Sequence, residues 1–455
     1  MLRRIHTEYS LLEGVGSVEE YVQKARENNI KELAITDFGM FAAIKFYNSC
    51  KSNNIVPIIG IEIHLKGFLD QENIYTLTLL AKNEKGVKNI YKLSTISHER
   101  NFILLDDLLE HGKDIYILSG GVNSELVSYV LKNDYKKVKK LMEIMLEKLD
   151  IILEIPMFEM LEYQRLMFDK LVDELNVKSI EVNEIYYLEK EDKILQKIFA
   201  AIKENRTLKT VQNEKKQDGL HFIINNQDKR EDILNDIDIV LDNKNVEFPL
   251  VKLPDGLSEK EYIINILEKN IGKKYPNITK EIQDRINYEL NVIDKMGYIK
   301  YFLIVHDFIK YAKENDIFIG PGRGSAAGSI ISYLLGITEL DPIKYGLIFE
   351  RFLNPERISM PDIDVDIEQE KRIDLIEYIK RTYGSRNVSQ IITFSTFKPT
   401  LALKDLARVF EIPEKSIRKL LDESKEKSLD DLNDGREIVK SLIDYAKRIE
   451  GKIKK

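Results

Sequence analysis

Leu2-Arg3-Arg4-Ile5-His6, Ser17-Val18-Glu19-Glu20 and Glu32-Leu33-Ala34-Ile35-Thr36 are the runs that decide the amino-terminal fold. The outer two are short and rich in apolar residues, as buried strands are, and the middle one is a Ser-x-x-Glu capping box that opens a helix between them. The same rhythm continues through Ile58–Leu65, Ile74–Ala81, Asp114–Ser119, Ile151–Ile155 and Lys178–Val182, with helical stretches between most of these runs. Repeated strand-helix units of this kind predict an α/β fold, a closed seven-stranded barrel of parallel strands with its chemistry at the strands' carboxyl ends.

A chain of 455 residues, 43% hydrophobic, is too long for one ordinary core and predicts two or three domains. It has no charged leader with an apolar stretch and cleavage site, and no apolar run of about 18 residues that could span a bilayer. The expectation is a cytoplasmic protein with no membrane partner. A lone Cys50 excludes an internal disulfide framework and a thiolate-rich zinc site, so any metal belongs on Asp, Glu or His. The net charge of −7 gives no overall electrostatic footprint for nucleic acid, which directs attention to local basic residues.

From about residue 206 to 250 the chain turns polar and irregular, through Asn225-Asn226-Gln227-Asp228 to a strand-like Val246–Val251 broken by Pro249, and reads as a connection. Residues 258–296 read as charged helices and 301–314 as an amphipathic helix with Phe302, Val305, Ile309 and Ala312 on one stripe. The last sixty or so residues are helical and charged, ending Lys452-Ile453-Lys454-Lys455 without a closing element, as a cut end would.

Ile317-Phe318-Ile319, Gly320-Pro321-Gly322-Arg323-Gly324-Ser325 and Ala326–Ile337 read as strand, glycine loop and helix, with Ser325 as the helix cap. Glycines admit close backbone approach, the helix start offers N–H groups, and Arg323 can grip a phosphate bidentately. The loop has neither the Lys-Ser/Thr ending of a Walker loop nor the dinucleotide glycine spacing. Taken alone it is equally a tight turn before a buried helix, with Gly328 permitting close packing.

Pro361-Asp362-Ile363-Asp364-Val365-Asp366-Ile367 alternates strictly, which on a strand puts Asp362, Asp364 and Asp366 on one face, roughly 7 Å apart in succession. Asp is disfavoured in strands, so three in alternation ask for a reason. One is a pair of Mg²⁺ ions for phosphoryl transfer, bound by these carboxylates as ligands; the bland one is a solvated acidic face. Arg351 and Arg357, just ahead of the carboxylates, are candidates for holding phosphates.

Gly297–Thr396 carries Tyr301-Phe302-Leu303-Ile304-Val305, the Gly320–Ser325 loop, Phe349-Glu350-Arg351-Phe352-Leu353-Asn354-Pro355-Glu356-Arg357 and Ser389-Gln390-Ile391-Ile392-Thr393-Phe394. This stretch resembles the palm of the bacterial C-family replicative DNA polymerases. The amino-terminal region resembles that family's polymerase-and-histidinol-phosphatase (PHP) domain, a seven-stranded barrel. The resemblance implies a PHP-like domain with connecting segment over 1–250, an α+β nucleotidyltransferase-like palm over 251–394 and the helical start of a thumb over 395–455. It implies template-directed DNA synthesis from deoxynucleoside triphosphates (dNTPs) on primer-template DNA, with two Mg²⁺ ions in the palm. Asp362 and Asp364 become metal ligands and catalytic residues, Asp366 a weaker candidate, and Gly322, Arg323, Gly324, Ser325, Arg351 and Arg357 the phosphate contacts. A third acidic ligand, fingers and the region that binds the sliding clamp and other replisome subunits lie beyond the thumb in that family. The expectation for these 455 residues is therefore an incomplete, inactive fragment.

PHP members with phosphoesterase activity carry a His-x-His start, an Asp-His pair and further His residues. This chain keeps His6, Glu13, Asp37, Glu62 and His98 but has Arg4, Phe38, Asn123, Glu184 and Tyr186 at other positions of that pattern. A guanidinium is no ligand and brings a competing charge, so neither a metal cluster nor hydrolase activity is expected there. His64 reads as an outward-facing strand residue. Two alternatives to a polymerase subunit stay open: a metal-dependent phosphoesterase acting through the barrel, and a non-catalytic fragment binding DNA or replisome proteins.

Overall fold

The structure, a computed structural model, describes residues 2–212, 220–223, 234, 236–241, 247–356, 360–432 and 435–455. Two compact units are present, Met1–Asp242 together with Thr393–Lys455, and Asn243–Ile392.

In the first unit seven strands close into a barrel: β1 (Leu2–Ile5), β2 (Glu32–Ile35), β3 (Val56–Lys66), β4 (Ile74–Ala81), β5 (Ile115–Leu118), β6 (Ile151–Pro156) and β7 (Ser179–Ile185). β1 pairs in parallel with both β2 and β7, placing Arg4 opposite Ala34 on one side and Glu184 on the other. Ser17 and Glu20 form the expected capping box on helix Val18–Glu27. The all-parallel expectation is corrected at β4, which runs antiparallel to β3 and to β5. The Gly67–Asn73 link is too short for the crossover of roughly a dozen residues that a parallel return needs, so the chain makes a hairpin. The buried carboxylate of Glu125 fastens this hairpin, accepting from the N–H groups of Phe68, Leu69 and Asp70 at 2.6, 3.0 and 2.8 Å.

Helices Pro399–Val409 and Glu437–Ile449 belong to the same unit; the first packs against both the second and helix Lys193–Lys203, with Phe397 stacked on Phe199 at 6.1 Å. Thr396 and Ile453 form an antiparallel bridge, and Ser395 N–H donates to Lys455 O at 2.7 Å.

The second unit is built on helices Glu259–Lys274, Lys280–Lys295, Ile299–Glu314 and Arg372–Tyr383. Phe302, Val305, Ile309 and Ala312 are all buried, as their stripe requires. The segments read as strands at 317–319 and 361–367 are extended but share only one antiparallel bridge, Ile319 with Ile367. Proline, glycine and alternating aspartates leave little from which to extend a ladder. Among the described residues no helix is long and apolar enough to cross a membrane.

Candidate functional site

The bridge between Ile319 and Ile367 sets the geometry of the second unit's polar site. Gly320 N–H donates to Asp366 O at 3.0 Å and Glu368 N–H to Phe318 O at 3.1 Å, laying the glycine loop along the acidic segment. Ile363 and Val365 pack against the apolar core while Asp362 and Asp366 are exposed and Asp364 is half-buried, so the alternation does divide apolar from acidic faces. Arg323 reaches across to both nearer carboxylates, Nη2 to Asp364 Oδ1 at 3.3 Å and Nε to Asp366 Oδ1 at 3.2 Å. Gly324 has φ 66° and ψ −155°, and a Cβ there would stand 2.7 Å from Asp364 Oδ2. Only glycine meets both demands.

The segment after the loop differs from the expected long helix. Ser325–Gly328 is a 3-10 turn, and the α-helix that follows is only Ile330–Leu334. Ser325 is exposed and caps nothing; Ser329 is the cap, its Oγ accepting from Ser332 N–H at 3.1 Å. Beneath it lies a residue that sequence reading missed. Glu289, fully buried, accepts from Ser329 Oγ at 2.8 Å and from Ile331 N–H at 3.3 Å. Arg285 pairs with Glu289 at 2.6 Å and donates to Gly328 O and Leu347 O at 2.9 and 3.1 Å. Burial pushes the Glu289 carboxyl upward, against the pull of Arg285 and Ser329. The N–H groups at this short helix's start thus already have protein acceptors. Arg351 is exposed on the 3-10 turn Phe349–Arg351 and forms no ion pair among the described residues; Arg357 lies outside them.

The carboxylates suit a hard divalent cation such as Mg²⁺. The Arg323 guanidinium is shared between Asp364 and Asp366, so positive charge already meets both carboxylates.

The barrel holds a second polar cluster, wholly buried. Arg4 pairs with Glu62 at 2.7 Å, Glu154 at 2.9 Å and Glu184 at 3.0 Å, and its Nη1 is 3.1 Å from His6 Nε2. Burial works against ionisation of Glu62, yet Arg4 and His6 hold its carboxyl well below the usual range. Burial pushes Glu154 up to about 7 in spite of Arg4, with Glu184 and Glu62 adding to the rise. His6 stacks on Tyr186 at 4.2 Å. Of the expected residues, His6 and Glu62 meet at 3.1 Å. Asp37 is reached through Ser10, and its carboxylate is spent on Thr7 N–H, Thr7 Oγ1 and Ser10 Oγ, each at 2.6 Å. Glu13 and His98 stand apart, Glu13 paired with Lys203 and His98 bonded to Ser94 O. His64 is exposed, but shares the Glu62 side of β3 and stacks on Phe38, which corrects the outward-facing expectation. His6, Glu62 and Glu184 bring ligand atoms within 4.8 Å of one another. Because Arg4 lies against both of those carboxylates, the donor set fits a guanidinium and not a metal ion. Glu154, the lone charge in Ile151–Pro156, was the second residue overlooked in the sequence.

Comparison with known proteins covers both regions of the chain. Residues 261–455 match the family model of the bacterial DNA polymerase III alpha NTPase domain, and residues 3–157 match the PHP domain. The chain resembles the amino-terminal part of the bacterial DNA polymerase III alpha subunits. It is 36% identical to the DNA polymerase III subunit alpha of Borreliella burgdorferi, over 98% of this chain and 43% of the relative. Against that of Aquifex aeolicus it is 34% identical, over 91% of this chain and 40% of the relative. The chain thus spans about two fifths of the length of the curated relatives it matches. Within the family's NTPase-domain match fall the glycine loop, the aspartates and Glu289, and within its PHP match fall Arg4, Glu62 and Glu154.

Proposed function

We propose that this chain supplies the nucleotide-phosphate grip and the metal-binding carboxylates for template-directed DNA synthesis. The observation that carries this reading is the convergence of Arg323 with Asp364 and Asp366, set by the backbone bonds between Gly320 and Asp366 and between Phe318 and Glu368. Asp362 and Asp364 are the metal ligands and Asp366 an auxiliary one, while Arg323, the N–H groups of Gly322, Gly324 and Ser325, and Arg351 take the dNTP phosphates. Two bound Mg²⁺ ions would supply activation of the primer 3′-hydroxyl and neutralisation of the leaving pyrophosphate. The protein's own contribution is orientation: a loop tied to the acidic segment by the Gly320–Asp366 and Phe318–Glu368 backbone bonds holds the triphosphate over the carboxylate face. In this reading the palm comprises residues 251–394, and residues 395–455 begin a thumb. Its partners are primer-template DNA and dNTPs, with the sliding clamp and other replisome subunits joining through the full-length protein. For the barrel we infer a structural role, because its carboxylates are committed to Arg4.

The test is Mg²⁺-dependent binding of a dNTP to the wild-type chain and to an Asp362→Ala/Asp364→Ala variant. Binding that needs Mg²⁺ and disappears in the variant supports the reading. Binding unchanged by the double substitution would remove these aspartates from the site.

A further inference from the structure

Arg323 carries a further, regulatory property of the same site, which rests on the reading just given. Its guanidinium sits on Asp364 and Asp366 at 3.3 and 3.2 Å, which are carboxylates a divalent cation would need. Asp362 forms no ion pair among the described residues and is exposed, so it is open to a first metal contact. Arg323 cannot simply be moved out of range, because the Gly320–Asp366 and Phe318–Glu368 backbone bonds keep its loop against the acidic segment. Its side chain is nevertheless 60% exposed, and the Asp364 and Asp366 side chains are 41% and 63% exposed, so the ion pairs exchange with water readily.

We propose that Arg323 couples metal binding to nucleotide binding: the guanidinium that occupies Asp364 and Asp366 in the unliganded protein transfers to the nucleotide phosphates when a divalent cation takes the carboxylates. Without nucleotide the cation must displace Arg323 and binds more weakly. With nucleotide present the guanidinium has another anion to hold, and the carboxylates are released. By reciprocity, metal raises nucleotide affinity by the same factor as nucleotide raises metal affinity. Exposed pairs of this kind are modest, so displacement of Arg323 weakens metal binding by about two- to five-fold.

The experiment is a Mn²⁺ titration, followed by electron paramagnetic resonance, of the 455-residue chain as wild type, Arg323→Gln, Arg323→Lys and Asp364→Asn, each with and without a fixed concentration of dATP, with free Mn²⁺ corrected for chelation by dATP. Circular dichroism confirms that each variant folds. Without dATP, Arg323→Gln is expected to bind Mn²⁺ about two- to five-fold more tightly than wild type, with Arg323→Lys in between because a point charge bridges two carboxylates poorly. With dATP, wild type gains Mn²⁺ affinity and Arg323→Gln gains less. If Arg323→Gln binds Mn²⁺ no more tightly while Asp364→Asn weakens binding, the coupling is wrong and the metal site stands. If Asp364→Asn leaves Mn²⁺ binding unchanged, the coupling and the site assignment both fall. Should Arg323→Gln not fold, Arg323→Lys decides by the same comparison, and a Mn²⁺ affinity equal to wild type overturns the coupling.

Discussion

Arg4 is a full positive charge with no exposed surface, and three buried glutamates depend on it. Replacing a buried pair by apolar groups can be neutral, but removing one partner leaves uncompensated charge. Arg4→Met should therefore destabilise the barrel by about 3–5 kcal/mol, measured as a shift in urea unfolding. Glu154 carries a prediction of opposite sign. Its folded pKa, about 7, lies above the ordinary glutamate value of 4.5, so its proton is bound more tightly in the folded state. That contribution is complete below about pH 4.5 and is lost as pH rises through about 7. Glu154→Gln should then match wild type near pH 4 and exceed it near pH 8, by up to about 3 kcal/mol. Parallel stability-pH curves for the two proteins would show that Glu154 does not titrate in this range.

Two elements owe their shape to a carboxylate hidden beneath backbone. The turn from Gly328 into helix Ile330–Leu334 rests on Glu289, which answers Ser329, the Ile331 N–H and Arg285 together. Glu289→Ala would strand these donors, at a cost of about 2–3 kcal/mol. The expected readout is faster amide exchange localised to residues 326–335, with exchange in the barrel unchanged. The β3–β4 hairpin is held in the same way by Glu125, and Glu125→Ala should loosen the Phe68–Asp70 N–H groups without opening the strands. Both cases follow from the expense of leaving a buried N–H without an acceptor, since short helices and tight hairpins cannot supply every acceptor internally.

At the scale of the whole molecule, the chain returns to its first unit after residue 392, and Phe397 is the anchor of that return, buried and stacked on Phe199. Phe397→Ala removes a large buried ring, with an expected cost of about 3–5 kcal/mol. Limited proteolysis should then cut within 399–449 well before the barrel; an unchanged digestion pattern would mean that the bridge from Thr396 to Ile453 suffices.

Local chemistry made much of this protein readable in advance. The seven strands, the Ser17–Glu20 cap, the buried stripe of helix Ile299–Glu314 and the division of residues 361–367 into apolar and acidic faces all follow from periodicity and capping, which act over a few residues. The glycine loop and the aspartates were legible as separate motifs, because residue type and spacing carry their chemistry. What tertiary structure alone decided involves partners distant in sequence. Which strand takes the second edge of β4, β5 in antiparallel pairing, is settled only when the barrel closes. Glu154 looks like one stray charge in an apolar strand until closure brings it to Arg4, and Glu289 looks like an ordinary helix glutamate until Ser329 is laid over it. The pairing of Arg323 with Asp364 and Asp366 likewise exists only because one antiparallel bridge brings two extended segments together, and no local pattern encodes a contact across that distance.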